Sequence, residues 1–450
     1  MKMKRHYDLA IVGAGVTGTS LFYALSRFSN IRSIALLEKN NGVALVNSHP
    51  LNNAQTSHDG GTETNYDLEH ALQVQEAAKL LRGYITRRKT DGLFKKTLRM
   101  VLAVGTDQVK ALEDRYTQFR DYYPDLRIAY EDELSVIEPK VMEGRNPEEK
   151  ICALVSSEGF AVNYQILAEC FVADGLPSLK GDLFLATAVI DVRKAEDGYV
   201  IETNRGEFHA RVVVFAAGAY SLLFAQKLGY GYEYGILSVA GDFYSVGLQV
   251  YNKVYRPQVE GRPFAELHMD PDVLKMQENH FGPTTVPQPL MERYNYRSFF
   301  DYMKLPTASL RGIAVMFYIL FANRLFGYVS RNLIYRFPIV GKFLLLKEAR
   351  KIVPGIRYRD IKRREGAGGI RPQIVNLKTW KLEMGDKTII GDSCIFNTTP
   401  SPGASVCLYN ARRDALKVVE FLGEGYNFNQ DAFEHSLGLI PEVVNSGPEA

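Results

Sequence analysis

Three groups of residues in this 450-residue chain have types and spacings that could do chemistry. Gly13, Gly15 and Gly18 stand in GAGVTG, and Glu38 follows about 20 residues later. In a G-x-G-x-x-G turn the first glycine permits the tight bend, the second lets the backbone approach a pyrophosphate, and the third allows close helix–strand packing. The helix opening there would present free N–H groups and a positive dipole end to the phosphates, and Glu38 would accept hydrogen bonds from ribose hydroxyls. Arg371, in REGAGGIRPQ, carries a planar fork that matches a carboxylate, beside glycines that admit a ligand to the backbone. The alternative for it is a surface arginine in a glycine-rich turn. His268, two residues before Asp270, titrates near pH 6.5 when unperturbed and suits a proton acceptor at neutral pH. A lone histidine on a strand is more often a core residue, and His58 is its rival as base, carboxylate ligand or cofactor ligand.

The flanking elements must place these residues. YDLAIV at 7–12 is an apolar run of the kind found in buried parallel strands, TSLFYALSRF has helical spacing, and SIALLE at 33–38 is a second strand ending in Glu38. Residues 47–66 have loop composition. Helices are predicted at 67–92 and 106–121, and strands at 98–104, 183–203 (with a turn at EDG), 211–216, 235–247 and 253–270. Residues 303–353 read as helical, 387–397 as strand and turn, and 404–422 as a helix opened by Pro402 and Gly403.

Two features favour FAD over NAD. RVVVFAAGAYS at 211–221 is an apolar strand ending in a small-residue turn, as occurs beside FAD phosphates. NTTPSPGASVCLYNA at 397–411 brings a helix N-terminus that would stabilise negative charge at the flavin N1–C2 carbonyl. The expected cofactor-binding residues are Gly13, Gly15, Gly18, Glu38, Asn53, Thr56, Val189, Gly218, Pro402, Gly403 and Ala404. The fold class is α/β: an FAD-binding Rossmann-like domain of the two-dinucleotide-binding-domain type with an interleaved α+β substrate domain. Residues 1–105, 166–232 and 363–425 are assigned to the FAD-binding domain. Residues 106–165 form an inserted helical segment, 233–362 the substrate domain with basic apolar helices, and 426–450 a tail.

The apolar fraction is 46%, the charged fraction 23% and the net charge +3, so composition implies a globular chain with no nucleic-acid partner. The four cysteines match no zinc motif and no CxxC pair, and read as buried thiols in a reducing compartment. The eight histidines lack ligand spacing, so no metal site is implied. The basic start MKMKRHYDLAIVGAG runs into a glycine loop rather than a cleavage site, so it reads as a first strand, not a signal peptide, and a cytoplasmic location is expected.

Several stretches resemble the malate:quinone oxidoreductase family. They are LNNAQTSHDGGTETNY at 51–66, TPSPGAS at 399–405, and HMDPD at 268–272 with FGPT at 281–284 (also similar to L-2-hydroxyglutarate oxidases). GIRPQ at 369–373 is similar to the arginine-bearing segment of the D-amino-acid-oxidase-like superfamily. The resemblance covers residues from about 6 to about 425. SHDGGTET stands where the family more often has Gly-His, small residues and Cys-Glu-Leu, which leaves the exact 2-hydroxy acid open.

The resemblance implies FAD-dependent oxidation of (S)-malate to oxaloacetate with electrons passed to membrane quinone. It implies His268 as base, His58 as its rival, and Arg371 as carboxylate clamp. A second carboxylate would need His58, Gln55 or Thr62, and Thr284 and Thr285 are hydrogen-bonding candidates or turn caps. Rivals are oxidation of L-lactate or L-2-hydroxyglutarate, an amino-acid oxidase, and a flavoprotein without turnover. Residues 304–351 carry Lys304, Arg311, Arg324, Arg331, Arg336, Lys342, Lys347, Arg350 and Lys351 against the single acid Glu348, with aromatics interleaved. That composition suits a helix on an anionic leaflet or a buried helix pair. The need to meet quinone favours peripheral attachment to the cytoplasmic face of the membrane.

Overall fold

The run RHYDLAIV forms strand β1 (Arg5–Val12), whose Leu9, Ala10 and Ile11 are fully buried. The computed structural model describes residues 5–258, 266–275, 277–322, 325–383, 386–399 and 402–439. Helix α1 (Val16–Phe28) follows, then β2 (Ile34–Leu37). The second half of β1 (Leu9–Val12) and all of β2 are apolar and buried, as in strands covered on both faces of the sheet. β1 pairs in parallel with β2 and with the strand Gly206–Phe215, so that Val12, Leu37 and Phe215 lie level. Cys394–Thr398 extends the sheet in parallel, with Phe396 opposite Phe215. Four carboxyl ends therefore meet at one edge, where ligands bind in open α/β sheets. Among the described residues this sheet has eight strands.

Two glycines set the turn after β1. Gly13 has φ +103, and a Cβ there would stand 2.5 Å from Ala216 O. A Cβ on Gly18 would stand 1.9 Å from Gly13 O, so only glycine lets α1 pack against the turn.

A second sheet, ten-stranded among the described residues, carries the substrate side. Its centre is Tyr234–Gly247, flanked by Ile370–Asn376 and Glu278–Pro287. It continues through His268–Pro271 and Lys253–Tyr255 to β3 (Phe94–Val104) and Ile151–Val162. β3 and Ile370–Asn376 thus belong to this sheet, although the sequence division placed both within the nucleotide-binding segments. Helix α2 (Leu68–Arg88) and helix α3 (Thr106–Phe119) flank β3 in the chain.

Several expectations are corrected. Residues 183–191 do not form one strand. Gly181–Phe184 and Val189–Ala195 are separate, because Ala186 N and Thr187 N bond to Asn40 O and Glu38 O and draw the chain across the end of β2. Residues 253–270 contain two short strands, Lys253–Tyr255 and His268–Pro271, and 259–265 lie outside the described residues. The long strand Ile151–Val162 sits in the segment expected to be helical. The helix expected at 404–422 begins at Cys407, so Pro402 and Gly403 lie in a turn before it. All four cysteines are buried and unpaired.

Candidate active site

A cavity of about 490 Å³ opens at the carboxyl edge of the first sheet and reaches the second. One end is the turn after β1. Glu38 accepts from Ala14 N at 2.8 Å through Oε2, and from Asn40 N and Nδ2 at 2.9 and 2.7 Å through Oε1. Those bonds fix the carboxylate where a ribose diol would meet it. The first turn of α1 carries no acidic residue, and its Ncap, Gly15, supplies no side-chain cap, which suits an anion at the dipole end. Gly218, Val189 and Thr187 continue the wall. The far end is made by the turn Pro402–Ser405, by Asn53, Thr56 and His58, and by Arg371. These residues fit FAD: a diphosphate turn, a ribose acceptor, and a second helix-opening turn at the flavin end.

Of the residues expected from sequence, Gly18, Thr62, His268, Thr284 and Thr285 do not line this cavity, and the others do. Gly18 acts through packing, as its contact with Gly13 shows.

Arg371 reaches the cavity from the strand Ile370–Asn376, which sits close because glycines precede it. Gly368 N donates to Leu51 O at 2.9 Å, and a Cβ on Gly369 would stand 2.8 Å from both Asn47 Oδ1 and Asn52 O. Burial lowers the pKa of the guanidinium, opposed by Tyr328, Tyr255 and Tyr66; no acid acts on it among the described residues. An arginine does not shed its proton, so this is a part-buried cation on the cavity wall that suits an anion.

His58 brings an imidazole to that end. Its Nδ1 lies 2.5 Å from Glu63 Oε1. Glu63 is 4% exposed and also contacts Arg99. Glu63 and Arg99 escaped the sequence analysis. The available signal was an arginine inside the apolar strand LRMVLAV, since a fully buried arginine needs partners.

His268 is placed elsewhere than expected. It is buried outside the cavity wall, stacked on Tyr255 at 4.6 Å, with Nδ1 2.6 Å from Asp270 Oδ2. Lys253 Nζ and His280 Nε2 approach the same oxygen at 3.5 and 3.3 Å. Burial pushes the His268 pKa down despite Asp270. The group is enclosed within the second sheet directly behind the cavity wall, where Lys253 Nζ and Tyr255 OH lie 3.0 and 2.7 Å from Oγ1 of the lining residue Thr56. Gln55 lines the cavity, but its amide is spent on Pro50 O, Asp272 and Val273 N. Thr62, Thr284 and Thr285 are buried off the wall.

Solved structures share this architecture. Glycine oxidase from Geobacillus kaustophilus superposes with a TM-score of 0.63 at 18% identity, over 92% of this chain and 95% of that one. L-alpha-glycerophosphate oxidase from Mycoplasma pneumoniae, with FAD bound, gives 0.63 at 17% identity, over 94% and 96%. At such identities the likeness establishes the fold, which is the FAD-binding α/β class expected. Sequence relatives are nearer. A probable malate:quinone oxidoreductase of Campylobacter jejuni is 36% identical over 96% of this chain and 99% of its own length. A malate:quinone oxidoreductase of Helicobacter pylori is 33% identical over 95% and 97%. The pattern described as Malate:quinone oxidoreductase (Mqo) matches residues 5–410, which span both sheets and every wall of the cavity. The chain therefore belongs to the malate:quinone oxidoreductase family, with FAD as its cofactor.

Proposed function

We propose that this cavity oxidises (S)-malate to oxaloacetate, with Arg371 holding a substrate carboxylate and His58 accepting the hydroxyl proton. FAD, when held by the turn after β1, Glu38 and the turn Pro402–Ser405, would supply the two-electron acceptor for the α-hydrogen, with quinone as the final acceptor. The observation that carries the reading is Arg371, a part-buried guanidinium on the cavity wall with no carboxylate partner among the described residues, lining the same cavity as the His58 imidazole. A carboxylate on the fork is held in a fixed plane, which orients the neighbouring C–OH carbon. His58 also offers a donor to the second carboxylate when protonated. The test is anaerobic flavin absorbance with L-malate, L-lactate, L-2-hydroxyglutarate or amino acids added separately. Bleaching by L-malate at low concentration, reversed by a soluble quinone, is expected. Bleaching only by another acid would change the substrate and keep the site.

The acceptor end of the reaction needs a membrane, and residues 304–351 suit one. The helices Leu310–Ala322, Leu325–Ile334 and Val340–Ile352 leave Phe317, Phe321, Phe326 and Phe343 exposed, and Phe337 is exposed in the turn between the last two. No single helix among the described residues is long and apolar enough to cross a bilayer. Many of the cations are already engaged. Arg336 contacts Asp242, Arg331 contacts Glu266, and Lys351 contacts Glu348, while Arg324 lies outside the described residues. Exposed aromatic and aliphatic side chains, Leu310 and Ile339 among them, share this surface with the cations, which fits a peripheral protein seated on one leaflet.

A further inference from the structure

Glu63 stands behind the cavity wall and its contacts converge on His58. Its Oε1 lies 2.5 Å from His58 Nδ1, and its Oε2 accepts the backbone N–H of Gly60 at 2.9 Å. Arg99, wholly buried in β3, donates to the same Oε1, and through its other terminal nitrogen to Asp59 Oδ1 at 2.9 Å. Arg115 of α3 donates to Gly60 O at 3.2 Å and Glu63 O at 2.7 Å, which bolts the loop backbone in place. Gly60 has φ +90, and a Cβ there would stand 2.3 Å from Ala71 O. Only glycine lets the chain double back so that Glu63 reaches a ring five residues earlier.

Burial pushes the Glu63 carboxyl up, but Arg99 and His58 outweigh it and hold it well below the usual carboxylate range. The group is a fixed negative charge at working pH. A histidine whose Nδ1 faces a fixed carboxylate carries its proton there and leaves Nε2 as the acceptor.

Building on the reading of His58 as base, we propose that Glu63 is a positioning residue for the oxidation. It holds the proton on Nδ1, so that Nε2 takes the substrate's hydroxyl proton: the O–H bond breaks and the Nε2–H bond forms. It then faces the resulting imidazolium as its counter-ion. Arg99 keeps Glu63 in place and charged. A loop staple alone would leave the tautomer and the pH profile of His58 indifferent to the charge of Glu63.

The test uses FAD-loaded enzyme carrying E63Q, E63D or H58Q. Flavin reduction by L-malate is followed across pH, and the tautomer of His58 is read from ¹⁵N signals of labelled histidine. In E63Q the limiting rate falls on the order of 10²-fold while the KM for malate changes little. The acid limb of its pH profile moves to lower pH, because the imidazolium has lost its counter-ion, and the Nδ1–H signal of His58 gives way to a mixture. E63D keeps the charge but not the reach, so its acid limb stays in place while its rate falls; it carries the test if E63Q does not retain FAD. A native tautomer and an unmoved acid limb in E63Q, with any loss tracking flavin content, overturn the proposal. A native rate in H58Q overturns instead the reading of His58 as base, and the tautomer signals then decide the Glu63 contact separately.

Discussion

The backbone N–H of His58 donates to Ser405 Oγ at 2.9 Å, joining two turns 347 residues apart. Ser405 Oγ donates onward to Thr56 O at 3.3 Å, and Tyr164 OH donates to the same carbonyl at 2.7 Å. The base-bearing loop and the turn before the helix Cys407–Leu422 are thus one unit. Ser405→Ala removes the staple and leaves a part-buried N–H without its acceptor, a cost of about 1–3 kcal/mol. Thermal unfolding followed by flavin fluorescence is expected to show a lower midpoint and earlier flavin release. An unchanged midpoint would mean that the two turns are held by other contacts.

Arg371→Lys keeps the charge and loses the fork. A charge-assisted hydrogen bond contributes about 1.5–3 kcal/mol, so kcat/KM for L-malate is expected to fall roughly tenfold to a hundredfold. KM rises and the rate of flavin reduction falls with it, because orientation is lost along with affinity. Wild-type kinetics in this variant would remove Arg371 from the carboxylate site.

The nucleotide end was legible in the sequence because its geometry is local. The spacing of Gly13, Gly15 and Gly18 dictates a turn and a helix start, and Glu38 ends the next strand. Arg371 was legible for a related reason: Gly368 and Gly369 mark a close backbone approach, although what they approach is chiefly the 47–52 loop and Gly241. The burial of His268 off the cavity wall was not legible, because its ordinary pKa says nothing of burial. In a strand, residues two apart share a face, so His268 and Asp270 point together, and the neighbouring strands bring Lys253 and His280 to the same spot. The His58–Glu63 contact depends on Arg99 and Arg115, which come from later elements of the substrate side, and no local pattern encodes it.

The buried His268–Asp270–Lys253 group predicts the acid response of the fold. Burial raises the Asp270 carboxyl, but His268 and Lys253 outweigh it and hold it well below the usual range. Its contribution to stability is therefore present above its unfolded pKa of about 3.9 and lost only in strong acid. His268 is depressed by burial, so the unfolded chain binds its proton first, and stability falls as pH drops below about 6.5. Denaturant midpoints measured from pH 8 to pH 5 should decline through that window, and His268→Gln should flatten the decline while flavin reduction per bound flavin is unchanged. Loss of flavin reduction in His268→Gln, with the fold intact, would return the catalytic base to His268. Asp270→Asn leaves the Lys253 ammonium buried without its counter-ion, a loss of roughly 3–5 kcal/mol.

Membrane seating can be separated from chemistry at the exposed aromatic face. Phe321 and Phe337 are about three-fifths exposed, at 61% and 60%, and Phe321 stacks on Phe326 with ring centroids 5.2 Å apart. Burial of a phenylalanine side chain contributes about 1.5–3 kcal/mol, so replacing both by glutamate should weaken vesicle binding by at least a hundredfold. Like charge against an anionic leaflet adds to the loss. Co-sedimentation with vesicles containing anionic lipid is the direct measurement. The double variant is expected to remain in the supernatant, to bleach normally with L-malate, and to reduce membrane-embedded quinone slowly while still reducing a soluble analogue. Sedimentation equal to that of the unmodified protein would place the membrane contact on another face. Slow bleaching in solution would show instead that the substitutions reach the substrate cavity, to which Tyr328 of the same helical segment lies close enough to act on Arg371.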